Sequence, residues 1–173
     1  DIEYYVIKPI KYSVLFEMLY GALVKRNIVE ARPEKVEVTD AAAVREEVRP
    51  LKILLAEDSE TNKILVQAYF RSTPHAIDIA DNGAVAFEKY KSGVYDLVFM
   101  DMHMPVMDGY TSTGLIREFE KKEGWAPRPV IALTAFAFKE DIQKCMDSGC
   151  TEYIAKPIKK SIILEVVKKY ALI

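Results

Sequence analysis

Four short apolar runs in this chain end in polar side chains that could do chemistry together. Glu57 and Asp58 follow the first run, Asp101 ends the second, Thr134 lies in the third and Lys156 follows the fourth. Clustered carboxylates repel one another and need a cation, and oxygen ligands without His or Cys favour a hard ion such as Mg²⁺. A carboxylate, a bound Mg²⁺, a lysine and a hydroxyl can together hold a phosphoryl group. The residues therefore predict a phosphoryl-transfer site with Asp101 as the nucleophile.

Each of these residues would be ordinary alone, because acids after a strand often cap helices and lysines near turns are usually solvated. The expectation rests on their occurrence together. The sequence contains no GxxxxGK[ST] phosphate loop, so ATP binding by this chain is not expected. The phosphoryl group is expected to come from a smaller or already activated donor.

Strand-like and helix-like segments alternate through the second part of the chain and place these residues in a fold. The patterns predict strands at 51–56, 76–80, 95–101, 129–135 and 151–155, and helices at 59–70, 84–90, within 109–121, 139–147 and 161–170. Such alternation implies right-handed β-α-β crossovers and a parallel sheet between helices. Sites in these sheets lie beyond the carboxyl ends of the strands, which is where the polar residues fall.

Composition excludes several function classes. The net charge is −2 and no long Lys/Arg run is present, so nucleic-acid binding is not expected. No apolar run approaches the roughly 18 residues of a spanning helix, so direct membrane insertion is not expected. Cys145 and Cys150 match no zinc pattern and are expected to be reduced thiols. A cytoplasmic location follows, including the cytoplasmic part of a membrane sensor kinase.

Residues 51–173 resemble a response regulator receiver domain. The segments LLAEDSETN, VFMDMHMPVMDGY, VIALTAFA and YIAKPIK occur in that family's order and spacing, and the wording is most similar to receivers of hybrid sensor histidine kinases. The resemblance implies a flavodoxin-like, doubly wound sheet in the order 2-1-3-4-5. It implies a phosphohistidine donor on a histidine kinase or a histidine-phosphotransfer domain. An isolated receiver would accept and slowly hydrolyse phosphate, and the parent chain is expected to be a histidine kinase in a multistep phosphorelay.

The resemblance also implies roles for the acidic residues. Asp101 would be the phosphoacceptor. Asp58 and Asp101 would ligate Mg²⁺ directly, together with the backbone carbonyl of His103, and Glu57 would help through water. The His103 side chain would lie at the rim of the site.

A second group of roles concerns the response to phosphate. Lys156 would pair with the phosphoryl group, and its bond to Pro157 is expected to be cis. Thr134 would bond a phosphoryl oxygen after transfer, and Tyr153 would swing inward when Thr134 moves. The aromatic residue at Phe136 would shield the phosphate from hydrolytic water.

The chain opens with a near-copy of its last motif. YVIKPIK, residues 5–11, matches YIAKPIK, residues 153–159, and similar apolar patterns follow both. The predicted organisation is 1–24 as the last strand and helix of an upstream receiver, 25–50 as a charged linker and 51–173 as the receiver. A strand-helix pair without its sheet must bury its apolar residues elsewhere, so 12–24 is expected to pack on this receiver or on a second copy, forming a homodimer. The alternative is an unrelated amphipathic helix.

Two other functions compete with the receiver interpretation. An aspartate-nucleophile phosphatase of the haloacid-dehalogenase type needs a second Asp two residues after the nucleophile, and here that position is His103. A flavodoxin-like flavin protein needs a Ser/Thr/Gly-rich loop after the first strand, where Glu57 and Asp58 would repel the cofactor phosphate.

Overall fold

A computed structural model describes residues 48–135 and 138–172. The upstream remnant, most of the linker and Phe136 lie outside the described residues, so the expectations for them stay predictions. The strands are β1 (Lys52–Ala56), β2 (Ala76–Ala80), β3 (Leu97–Asp101), β4 (Val130–Thr134) and β5 (Glu152–Ala155). The helices are α1 (Glu60–Phe70), α2 (Gly83–Ser92), α3 (Gly109–Glu123), α4 (Lys139–Asp147) and α5 (Lys160–Ala171). The alternation predicted from the apolar pattern is confirmed.

The five strands form one parallel sheet in the order β2-β1-β3-β4-β5, which confirms the flavodoxin-like fold class. The register pairs Ala56 with Met100 and Asp101 with Leu133. The carboxyl ends of β1, β3 and β4 therefore meet at one edge of the sheet. Since the chain leaves the sheet at this edge on every strand, the loops that follow the strands converge there.

Each face of the sheet carries its own apolar core, because strands buried on both faces need apolar residues at consecutive positions. One core joins Leu55, Phe99 and Leu133 to residues of α1 and α5. The other joins Leu54, Met100 and Ala132 to residues of α2, α3 and α4. β3 and β4 are fully buried along their length. This two-sided packing fixes the height at which each strand ends, and so the positions of the residues that follow.

The third strand begins two residues later than the sequence pattern predicts. The aromatic ring of Tyr95 is buried, but Tyr95 precedes β3, and its hydroxyl donates to Asp78. Asp96 follows, and its carboxylate accepts hydrogen bonds from the Lys52 backbone N–H and the Arg49 guanidinium, each at 2.8 Å. The apolar run continues into this turn because Tyr95 packs on the core without joining the ladder.

Side-chain caps start α1, α2 and α3. The Ser59 hydroxyl accepts from the Asn62 N–H, and the Asp108 carboxylate accepts from the Thr111 N–H at 2.7 Å. Such caps satisfy amide groups that the first helical turn leaves without partners. They also fix where the loops before α1 and α3 end. Within 48–135 and 138–172, none of the helices combines the length and apolarity needed to cross a bilayer.

The first described residues are attached to the amino edge of the sheet. Val48 forms a bridge with Leu172, and the Arg49 N–H donates to the Ala171 carbonyl at 3.0 Å. The Arg49 guanidinium pairs with Asp96. Residues 48 and 49, which the sequence pattern places in the linker, thus bond to the folded domain.

Candidate functional site

The carboxyl edge of the sheet brings the predicted acidic residues together. Glu57 follows β1 and is 1% exposed, while Asp101 ends β3 and is 3% exposed. Asp58, next to Glu57, is exposed. One carboxylate oxygen from each of the three lies within 4.8 Å of the others. The pairing of β1 with β3 places the two buried acids side by side, although 44 positions separate them in the sequence.

Lys156 connects the two buried acids. Its ammonium donates to Asp101 Oδ2 at 2.7 Å and to Glu57 Oε2 at 2.8 Å. The Lys156 N–H also donates to the Thr134 carbonyl at 2.8 Å, which fixes the end of β5 against β4. The bond between Lys156 and Pro157 is cis, as predicted. The lysine therefore reaches the acids across the end of β4.

The charges at this edge do not balance. Three carboxylates face one ammonium, which favours a further cation. Oxygen ligands of an octahedral Mg²⁺ lie about 3–4 Å apart, given metal–oxygen distances of about 2.0–2.1 Å. The set of hard oxygen donors and its spacing fit such an ion.

Glu57 is oriented by the backbone of Ser59 and by Asn62, a residue that the sequence reasoning did not single out. Its Oε1 accepts from the Ser59 N–H at 3.2 Å and from the Asn62 side-chain amide at 3.0 Å. Asn62 lies in the first turn of α1, where its amide turns back toward the strand end. This contact turns Oε2 toward Lys156. The sequence offered only the helical position of Asn62 as a signal.

The loop after β3 holds Asp101 in place. Asp101 Oδ1 accepts from the His103 N–H at 3.1 Å. The His103 side chain is exposed at the rim and packs edge to face on Tyr110, with ring centroids 6.0 Å apart. The His103 backbone therefore faces the acidic group while its imidazole points away.

A glycine allows α3 to begin directly against this strand end. A Cβ on Gly109 would lie 2.2 Å from the Asp101 carbonyl oxygen and 2.8 Å from the Met102 Cα. No side chain larger than hydrogen fits without moving the backbone of Asp101. Gly109 was missed as a site residue, although its place in the MDGY motif was a usable signal.

Burial and hydrogen bonding oppose each other in the ionisation of Asp101 and Lys156. Burial raises the pKa of Asp101 above its usual value, against the opposing hydrogen bonds from Lys156 and the His103 N–H. Burial by itself would lower the pKa of Lys156, but its bonds to Asp101 and Glu57 outweigh that effect and raise the pKa. The ion contacts between the Lys156 ammonium and the carboxylates of Asp101 and Glu57 favour the charged form of each partner.

Two further predicted residues lie on β4 and β5. Thr134 ends β4 and is fully buried. Tyr153, on β5, is paired in register with Ala132 and is 43% exposed. The structure thus brings together Glu57, Asp58, Asp101 and Lys156, places Thr134 at the neighbouring strand end and leaves Tyr153 on the surface.

Comparisons with known proteins agree with this geometry. Residues 53–168 match the model of the response regulator receiver domain. The chain is 38% identical, over 148 residues, to hybrid signal transduction histidine kinase B of Dictyostelium discoideum. That alignment covers 80% of this chain but 7% of the relative. The chain therefore spans a small part of the length of that relative.

Solved structures share the fold. The Saccharomyces cerevisiae complex of the histidine phosphotransfer protein Ypd1 with the Ssk1 receiver domain matches with a TM-score of 0.69 and 29% identity, covering 72% of this chain and 90% of that one. The receiver domain of sensor histidine kinase PA1611 from Pseudomonas aeruginosa has magnesium coordinated in its active-site cleft. It matches with a TM-score of 0.63 and 32% identity, covering 70% of this chain and 98% of that one.

Proposed function

Because this chain belongs to the response regulator receiver family, we propose that Asp101 accepts a phosphoryl group from a phosphohistidine on a partner protein. The observation that carries this proposal is the bond between the Lys156 ammonium and the buried Asp101 carboxylate, at 2.7 Å, beside two further acids. The family match favours this function over the aspartate-nucleophile phosphatase.

The transfer is a displacement at phosphorus. A carboxylate oxygen of Asp101 forms the new P–O bond, the P–N bond to the donor imidazole breaks, and its electron pair leaves on the nitrogen. Lys156 offsets the negative charge of the phosphoryl oxygens, since its ammonium already lies against the acceptor. The His103 N–H holds the acceptor carboxylate in a fixed orientation. Positioning and charge neutralisation account for most of the catalysis of such reactions.

Glu57, Asp58 and Asp101 are proposed to hold Mg²⁺, with the His103 carbonyl as a further ligand. When bound, the ion would neutralise charge on the phosphoryl oxygens. Support comes from the spacing of the three carboxylates and from the magnesium in the cleft of the Pseudomonas relative. Because Glu57 is already engaged by Lys156, Ser59 and Asn62, a contact to the ion through water suits it better than direct ligation.

The partner is proposed to be a histidine kinase or a histidine-phosphotransfer protein. The relatives are hybrid histidine kinases, and the Ssk1 receiver was crystallised with a phosphotransfer protein. The parent chain is accordingly proposed to be a histidine kinase. We place the domain in the cytoplasm, since Cys145 and Cys150 are both free thiols and reducing compartments preserve thiols.

Acetyl phosphate provides a direct test, since it is an activated donor that needs no partner protein. Incubation of the chain with acetyl phosphate and Mg²⁺ is expected to add one phosphoryl group, detected by intact-mass analysis, with release of acetate. Asp101→Asn should show no adduct, because its amide is a poor nucleophile. Asp96→Asn, which changes a carboxylate at the other end of β3, serves as the control and should be labelled normally. An adduct on both Asp101→Asn and wild type, or on neither, would contradict the proposal.

A further inference from the structure

A cavity of about 250 Å³ opens at the end of the sheet opposite Asp101. Tyr95, which precedes β3, lines it together with Tyr90 of α2. Trp125, which follows α3, and Arg128, which precedes β4, close its other side. Asp101 ends the same strand that Tyr95 precedes, so the cavity is separate from the acidic site.

Three aromatic side chains, Tyr90, Tyr95 and Trp125, contribute to the walls of the cavity. Tyr90 and Tyr95 are 2% and 4% exposed, and their rings are stacked with centroids 6.4 Å apart and planes inclined by 20°. Trp125 tilts against Tyr90 at 6.5 Å and meets Phe119 edge to face at 5.3 Å. These contacts hold the rings in fixed positions, so the walls are preformed.

The tyrosine hydroxyls are already committed to protein partners. Tyr90 donates to the buried carboxylate of Glu120 at 2.6 Å, and Tyr95 donates to Asp78 at 2.6 Å. Glu120 is held in turn by Arg117 and by the Arg128 N–H. The tyrosines therefore contribute ring surface to the cavity, and a ligand would meet apolar walls there.

Arg128 supplies a positive charge at this apolar cavity. It is exposed, and within 48–135 and 138–172 its guanidinium forms no ion pair. The described lining includes no carboxylate. The nearby carboxylate of Asp96 is already bound by Arg49 and by the Lys52 N–H. A ligand with an aromatic body and one negative group would match this arrangement.

We propose that this cavity binds a small aromatic carboxylate. The ring would pack against Trp125, which is 42% exposed, and against the edge of Tyr95, because the Lys52 ammonium lies over the Tyr95 ring at 4.7 Å. The carboxylate would pair with Arg128, whose planar guanidinium can donate two parallel hydrogen bonds to it. The volume is below the roughly 300–1,000 Å³ of drug-sized pockets, which suits a ligand of one or two rings.

Trp125 makes the proposal measurable, because it is the single tryptophan of the chain and lines the cavity. The probe is 3-phenylpropionate, and its uncharged match is 3-phenylpropionamide. Titration of the whole chain is expected to change Trp125 fluorescence saturably with both compounds. The acid should bind up to about fivefold more tightly than the amide, as one exposed charge pair of about 1 kcal/mol or less would give.

Two arginine variants assign the charge preference. Arg128→Gln keeps the backbone N–H that bonds Glu120, and it should weaken the acid to the affinity of the amide while leaving the amide unchanged. Arg71→Gln, at the end of α1 on the other face of the sheet, should preserve the preference. Unchanged labelling of Asp101 by acetyl phosphate checks that both variants are folded. Equal affinities for the two compounds in wild type, no saturable response, or a preference that survives in Arg128→Gln would overturn the proposal.

Discussion

Lys156 is the residue on which the acidic site depends, because it is the cation that its two buried carboxylates share. Glu57 and Asp101 are almost fully buried, and a buried charge without a partner is costly. The two contacts of the Lys156 ammonium, at 2.7 Å to Asp101 and 2.8 Å to Glu57, offset the cost of burying these carboxylates. The same burial keeps the Asp101 carboxylate poorly solvated, and that leaves it available to an incoming phosphorus atom.

Replacing Lys156 with Met tests this balance at the scale of one residue. Lys156→Met keeps the apolar stem but removes the ammonium, so the free energy of unfolding should fall by about 3–5 kcal/mol. Added Mg²⁺ should then raise the midpoint of thermal unfolding more in the variant than in wild type, because the ion replaces the missing positive charge. Calorimetry with and without Mg²⁺ measures both effects.

Lys89→Met provides the matched control for this experiment. Lys89 also pairs with an aspartate, Asp78 at 2.6 Å, but both side chains are more than a third exposed. Its loss should cost about 1 kcal/mol or less and leave the response to Mg²⁺ as in wild type. An equal Mg²⁺ response in Lys156→Met and wild type would show that the lysine and the ion do not share the same carboxylates.

At the scale of elements, the contact of α3 with the end of β3 positions Asp101. Gly109 is the first residue of α3, and its N–H donates to the Met102 carbonyl oxygen at 3.2 Å. Its missing side chain allows the helix to start where the Asp101 carbonyl would otherwise collide with it. The helix and the strand end thus form one rigid unit around the acceptor.

Gly109→Ala should push the start of α3 away from the end of β3. The added methyl would meet backbone atoms at 2.2–2.9 Å, and such overpacking costs about 1–3 kcal/mol or more. We expect a lower free energy of unfolding and slower labelling of Asp101 by acetyl phosphate. Denaturant unfolding and timed mass spectrometry measure the two effects.

The same helix offers a control at Gly114. A Cβ there meets nothing within 4 Å, so Gly114→Ala should raise the free energy of unfolding by about 0.5–1 kcal/mol through helix propensity. Its rate of labelling should match wild type. A Gly109→Ala protein as stable and as fast as Gly114→Ala would refute the close-approach argument.

At the scale of the whole molecule, phosphorylation of Asp101 has to change the surface that a partner protein contacts. Phosphorylation adds about −1.5 to −2 charge and three acceptor oxygens. Thr134, at the neighbouring strand end, is the hydroxyl proposed to approach them, and Tyr153 on the next strand is 43% exposed. We propose that movement of Thr134 shifts Tyr153 from this exposed state toward a buried one, which biases an existing equilibrium.

Fluorine labelling of tyrosines tests that coupling. Acetyl phosphate with Mg²⁺ should shift the 3-fluorotyrosine resonance of Tyr153, which is assigned from its absence in Tyr153→Phe. Allosteric coupling of about 1–3 kcal/mol would change the ratio of buried to exposed Tyr153 about 5- to 150-fold. Thr134→Ala should still form the Asp101 adduct but lose the shift, while Thr134→Ser should keep both. A shift that persists in Thr134→Ala would remove Thr134 from the pathway.

The sequence by itself determined the order of the elements and the identity of the acidic residues. Consecutive apolar positions such as those of β3 and β4 indicate strands buried on both faces, and that pattern is local. The carboxyl-edge rule for parallel sheets then places Glu57, Asp101 and Lys156 at one edge without any coordinates. The resemblance to receivers supplied the strand order, which the local patterns leave open.

Only the tertiary structure decided how those residues meet. The two bonds of Lys156, the turn of Asn62 back to Glu57 and the fit of Gly109 against Asp101 join residues from different elements. The aromatic cavity beside Arg128 likewise joins α2 with the turns before β3 and β4. Such contacts depend on how helices pack on the sheet and on side-chain rotamers, which the packing of the whole domain selects. Local periodicity carries no information about either.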